Sequence, residues 1–195
     1  MEHPGPDLPN SNFQSQLHSR LLGARTLVIN EPLTTGTAGQ ISQQLTVLAA
    51  ESDEPIQIMM SNAPGGDVDA GLSTYDLIRS LDAPVTILGS GRIAGAGVLA
   101  FVGAAADRRF ALPHARFRIE EPGEGREHGS ASDLEQNAQA AADRRERIVA
   151  LLAEATGQSA ETIEDDLTAQ RTFAADEAAD YGLIRRVVQS RTEIS

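Results

Sequence analysis

Val85-Thr86-Ile87-Leu88-Gly89-Ser90-Gly91-Arg92-Ile93-Ala94-Gly95-Ala96-Gly97 is the stretch that decides the fold. Val85 to Leu88 is β-like, a glycine-rich joint follows, and a near-continuous apolar run then extends from Ile93 to Ala106. That order predicts strand, sharp turn and buried helix, the arrangement that lifts one side chain out of a sheet for covalent chemistry. At the apex, where a Ser or Cys would attack, stands Gly95. Glycine has nothing to attack with.

The pattern repeats on both sides of this stretch. Leu27–Ile29 reads as a short strand, and Ile41, Leu45 and Leu48 give one buried face to a helix from about Thr37 to Ala50. Ile56–Met60 reads as a buried strand broken by Asn62-Ala63-Pro64-Gly65-Gly66, after which Asp67 caps a helix with the stripe Val68, Leu72 and Tyr75. Downstream come a strand at Arg116–Ile119 and a polar loop, Glu121 to Gly129. The capping box Ser132-Asp133-Leu134-Glu135 then opens a helix that runs to about Ala155 and stops at Gly157. Leu134, Ala138, Ala141, Ile148, Leu152 and Ala155 mark its apolar side, interrupted by Arg144 to Arg147. At roughly 36 Å this helix is long enough to project from a small domain. A helix at about Glu161–Thr168, another ending at Gly182 and a last strand, Leu183–Val188, complete the order. The expectation is an α/β fold of stacked strand–helix units on a largely parallel sheet. Residues 1–16, rich in Pro, Asn, Gln and Ser, are expected to be mobile until a partner holds them, and 17–195 to form one domain.

Composition narrows the function. With no cysteine there is no disulfide, thiolate metal site or thiol nucleophile, and the formal charge of −12 argues against a nucleic-acid backbone as partner. The 14 residues of the longest apolar run fall short of the roughly 20 that a membrane-spanning helix needs. A cytoplasmic chain without membrane, metal or cofactor is the expectation.

Two glycine turns, Asn62-Ala63-Pro64-Gly65-Gly66-Asp67 and Gly91 to Gly97, end successive strands, where backbone N–H groups can face a substrate unobstructed. Followed by Arg109-Phe110-Ala111-Leu112-Pro113, they resemble ClpP, the proteolytic subunit of the ATP-dependent Clp protease. The likeness runs over about residues 17–190. It includes Ser19-Arg20-Leu21-Leu22, Ala70-Gly71-Leu72 with Tyr75-Asp76, Thr156-Gly157-Gln158, and Glu177-Ala178 before Tyr181-Gly182-Leu183. It implies the ClpP/crotonase-type fold with a protruding handle helix, here about Ser132–Ala155. It also implies seven-membered rings stacking through that handle, homo- or hetero-oligomers with ClpP-family subunits, and an AAA+ Clp unfoldase as a further partner. Matching positions for unfoldase docking are Ile58, Met60, Leu88, Phe110 and Leu112, with Ser80 and Ser90 replacing apolar residues. Weaker docking through this chain is therefore expected.

The chemistry is where the chain departs from the pattern. The family's Ala-Ser-Met-Gly is matched by Ala94-Gly95-Ala96-Gly97, its Ile-His-Gln-Pro by Ile119-Glu120-Glu121-Pro122, and its orienting Asp by Gln170. Nucleophile, base and orienter are all replaced, so the resemblance implies a catalytically degenerate paralogue. Loss of a whole triad typically costs about a millionfold in turnover. His114 lies six residues, ~20 Å, before Glu120 on an extended strand and cannot stand in. His128 and Ser130 fall in the polar loop, and Ser90 lies five residues before the turn. By resemblance the oxyanion donors are the N–H groups of Gly66 and Ala96. Two other readings stay open: a crotonase-type enzyme using Glu120 as acid/base, and a stand-alone homo-oligomeric shell.

Overall fold

The computed structural model describes residues 10–120 and 131–194. Helix α1 (Asn10–Gly23) leads into β1 (Thr26–Ile29), α2 (Thr35–Glu51), β2 (Ile56–Ala63), α3 (Val68–Ser80), β3 (Val85–Ala94) and the short α4 (Ala96–Phe101). Then follow β4 (Arg109–Ala111), β5 (Arg116–Arg118), α5 (Ala131–Thr156), α6 (Ala160–Thr168), β6 (Thr172–Ala174), α7 (Ala175–Tyr181) and β7 (Arg186–Val187). Five strands form a parallel sheet in the order β1-β2-β3-β4-β7.

β3 is the hinge of the architecture. Its first part pairs with β4, and its last three residues, Arg92, Ile93 and Ala94, pair with β5 instead, to which β6 adds antiparallel. The strand is ten residues long, so the glycine joint is not its end. Gly91, at φ +62, lets the strand bend over Asn62, whose Oδ1 accepts from Arg92 N at 3.1 Å; a Cβ on Gly91 would stand 2.2 Å from that oxygen. The expected helix from Ile93 shrinks to six residues beginning at Ala96, because Ile93 and Ala94 are drawn into pairing with Phe117 and Arg118. Likewise the last strand reduces to Arg186–Val187, with Leu183 and Ile184 packed into the core from a turn.

The main core lies between this sheet and helices α2, α3 and α4. Ile41, Leu45 and Leu48 are buried as the spacing predicts, Thr34 and Asp67 cap their helices, and Asp67 accepts from Asp69 N at 2.8 Å. Leu72 is only partly buried; Ala70, Gly71, Thr74 and Ile78 share the inward face with Val68 and Tyr75. Phe101 of α4 meets Phe117 of β5 edge-on at 5.0 Å, a contact worth about 1 kcal/mol beyond burial. Arg109, almost fully buried, donates from Nη2 to Ala155 O at 2.8 Å and holds the end of α5; burial lowers its pKa to about 10.

α5 is 26 residues long and divides in two. Ile148, Val149 and Leu152 are buried in the core, whereas Gln136 to Ala140, Ala138 among them, are exposed. The helix stops at Gly157, at φ +77. The expected boundary at residue 16 falls inside α1, which continues from Asn10 to Gly23 with Phe13 and Leu17 exposed. The C-terminal end of α1 meets the core through the partly buried Leu22. The loop Glu121–Ser130, with His128, lies outside the described residues, as do the side chains of Ser132, Leu134 and Glu135.

Candidate functional site

β3, the turn after β2 and the end of β5 converge on one cavity of about 230 Å³. Gly65, Gly66, Gly95 and Ala96 form its backbone rim, with Glu120 beside them. Val68, Val98, Leu99, Ile148, Leu152 and Leu167 line its apolar depth. The sequence brought none of these six apolar residues to the site; Ile148 and Leu152 arrive through the packing of α5.

Gly95 sits at the strand-to-helix elbow with φ +51 and ψ −119, a conformation that strains any residue with a Cβ. Gly95 N donates to Arg118 O at 3.2 Å, which fixes the elbow against β5. An added Cβ would lie 3.0 Å from Glu120 Oε1. The carboxylate of Glu120 therefore stands over the spot from which a side chain would leave the elbow.

From Glu120 the polar contacts run to cations. Arg118 Nε is 3.2 Å and Arg92 Nη2 4.0 Å from Glu120 Oε2. The Arg118 Nε contact lacks hydrogen-bond alignment, so it is a charge contact. Arg118 also donates from Nη2 to the side-chain oxygen of Gln170. Glu120 and Gln170, which the sequence matched to two neighbouring triad positions, are thus joined through a guanidinium that it did not single out. Arg118 and Glu120 alternate on β5 and its extension, so an i, i+2 signal for their common face was present. The half-buried Glu120 and Arg118 place this pair near the surface limit, where such contacts are worth about 1 kcal/mol or less.

The connector carrying Gln170 is itself clamped. Asp166, 7% exposed, accepts from Tyr181 Oη at 2.6 Å and from Arg171 Nη1 at 3.1 Å, while Arg171 N donates to Asp166 O at 3.0 Å. Burial first, and then the bond to Asp166, raise the Tyr181 pKa. Asp166 is committed to these partners. Gln170 holds φ +50 at the end of the clamp.

The backbone rim is differently built. Gly66, at φ +115, lies against Leu33: Asp67 N donates to Leu33 O at 2.7 Å, and a Cβ on Gly66 would be 2.4 Å from that oxygen. Within the described residues no hydrogen bond takes the N–H of Gly66 or of Ala96, and both residues border the cavity. Among the described residues no cluster of His, Cys, Asp or Glu is arranged to hold a metal. His114 is exposed, and Ser90 lies inside β3, five residues before the elbow.

Of the docking positions, Leu88 and Phe110 form a separate apolar cluster with Val188, joined by Met59, Leu112 and Ile194. Ile58 and Met60 do not belong to it. They are fully enclosed in the main core, because alternation along β2 turns Met59, not its neighbours, to the other face. The apolar identity of all three residues hid which face each takes.

The family model described as Clp protease matches residues 9–191. The chain belongs to the Clp protease family. It is 38% identical over 179 residues to the ATP-dependent Clp protease proteolytic subunit 3 of Rhizobium etli, covering 92% of this chain and 91% of the relative. It is 35% identical to proteolytic subunit 1 of Streptomyces avermitilis, covering 96% and 86%. Among solved structures, ClpP1 from Listeria monocytogenes superposes with a TM-score of 0.79 at 33% identity, covering 92% of this chain and 99% of that one; a mutant of the same protein reaches 0.82. The α/β fold expected from the strand–helix alternation matches that of the solved ClpP structures.

Proposed function

We propose that this chain is a non-catalytic ClpP-like subunit of a Clp-type protease complex. In this reading it takes places in heptameric rings and completes or modulates a barrel whose peptide cleavage comes from an active serine-peptidase paralogue. One observation carries the reading: the elbow that would present a nucleophile holds Gly95, and the group facing it is a carboxylate paired with arginines. Serine attack needs a hydroxyl beside a base that can take its proton and return it. Gly95 supplies no hydroxyl, and the carboxylate facing it is paired with arginines. The cavity has an apolar depth and, at Gly66 and Ala96, two N–H groups that no hydrogen bond among the described residues takes, which suit peptide or carbonyl binding without cleavage. The exposed stretch Gln136–Ala140 of α5 and the exposed Phe13 and Leu17 of α1 support assembly, since these residues lie outside what the core needs.

Size-exclusion chromatography with and without an active ClpP-family paralogue tests the assembly. Co-elution in mixed rings is expected; indifference to the paralogue would favour the stand-alone shell. A crotonase-type role draws on Glu120 at the rim beside those two N–H groups. The arginine pairing of Glu120 weighs against a free acid/base, and turnover of acyl-CoA substrates by the pure protein would establish that alternative.

A further inference from the structure

Val28, Met59, Leu88 and Phe110 are successive register partners on β1, β2, β3 and β4, an apolar row across the face of the sheet turned away from the main core. The next partner of Phe110 is Arg186 of β7, whose guanidinium lies over the Phe110 ring at 5.5 Å. A contiguous apolar row on a sheet face asks for a cover. The segment after β7 supplies one. It turns through a short 3₁₀ turn, Arg191–Ile194, and sets Ile194 against the cluster of Leu88, Phe110 and Val188 with Met59 and Leu112.

The segment is fastened at both margins of the sheet. On the β7 side, Glu193 Oε1 accepts from Gln189 N at 2.8 Å and Ser190 N at 2.9 Å. Its Oε2 accepts from Arg186 Nη1 at 3.1 Å, and its main-chain oxygen from Arg186 Nη2 at 3.0 Å. On the far side, Arg191 donates to Gln57 Oε1 from Nη2 at 2.8 Å and from Nε at 3.1 Å, and reaches Thr26 Oγ1 at 3.3 Å. These bonds are mostly exposed, and Ile194 is the one apolar side chain among residues 190–194. Such a fastening closes without locking, because solvent-exposed hydrogen bonds and one half-buried isoleucine open far more readily than a core strand.

We propose that residues 190–194 form a self-covering strap: Ile194 occupies the apolar row of Met59, Leu88 and Phe110 and withholds it from a partner presenting an aliphatic or aromatic side chain, with Glu193 as the latch. The strap deepens the assembly reading, on which it rests only for the existence of such a partner; the covering is a property of the isolated chain.

Because the chain has no cysteine, Met59→Cys places a unique thiol in the apolar cluster on which Ile194 packs. Its maleimide labelling rate is compared in the otherwise intact chain, with Glu193→Ala, with Ile194→Asp, and in a chain ending at Gln189. Labelling is expected to rise about fivefold with either substitution and at least tenfold on truncation. Rates within twofold of one another in all four would overturn the proposal. Amide hydrogen exchange gives a readout without the reporter thiol. Gln189 and Ser190 should exchange at least fivefold faster in Glu193→Ala, and unchanged exchange contradicts the latch. The truncated chain should also brighten the apolar dye 1-anilinonaphthalene-8-sulfonate; no gain in fluorescence would mean that no apolar row had been covered. Co-elution with an active paralogue, which decides the assembly reading, is measured separately from labelling and exchange, so each can fail alone.

Discussion

The backbone rim of the cavity and the side chains facing its elbow are held on opposite terms. Gly66 and Ala96 border the cavity with N–H groups that no hydrogen bond among the described residues takes, while Gly95, Glu120 and Gln170 carry no hydroxyl or imidazole. The fold explains the first. Gly66 cannot gain a Cβ without displacing Leu33, and Gly97 cannot without meeting Ala63 O at 2.5 Å. Nothing in the packing demands an imidazole at 120 or a carboxylate at 170, where Arg118 satisfies both present residues. Geometry that a fold needs for itself is therefore a weak guide to chemistry, and the side chains it could do without are the informative ones.

This contrast can be broken most forcefully at Gly66. Gly66→Ala combines a positive φ with a 2.4 Å approach to Leu33 O, and chemical denaturation should record a loss of about 4 kcal/mol or failure to fold. A loss under 1 kcal/mol would mean that packing does not hold the rim. Leu152→Ala, in the buried wall of the cavity, is expected to cost about 3 kcal/mol by the same measurement. The reacting side should be far more tolerant. Glu120→Gln removes a half-buried ion pair and should shift stability by no more than about 1 kcal/mol; a larger loss would make Glu120 a structural necessity, erasing the contrast.

A smaller effect sharpens the account of the Gln170 connector. The chain has two tyrosines and no tryptophan, and burial raises the pKa of both Tyr75 and Tyr181. With folded values above the unfolded one of about 10, the stability these phenols contribute is fully present below that pH and lost as pH rises through the folded values. Near-ultraviolet titration of a Tyr75→Phe chain should show Tyr181 less ionised at pH 10 than a free phenol, and ionisation there equal to that of the unfolded chain would show that Asp166 does not clamp Tyr181.

Much of the scaffold was legible because its signals are local. Asp67 caps α3, Gly157 and Gly182 end helices in left-handed conformations, and Ile41, Leu45 and Leu48 mark the inner face of α2. The shortfalls arose where distant pairing decided the outcome. Ile93 and Ala94 read as helix until β5 recruits them, and β4 and β6, three residues each, are too short to show a period. At the site, the replacements at 95, 120 and 170 could be read from motifs. The apolar lining from Ile148 and Leu152 could not, since no periodicity says which cavity a buried helix face will close.

The central claim concerns covalent reactivity at the elbow, and intact-mass measurement after incubation with a fluorophosphonate tests it most directly. The purified chain should keep its mass, and Gly95→Ser should remain nearly inert because Glu120 is paired with arginines. Stoichiometric modification of the wild-type chain would contradict the account.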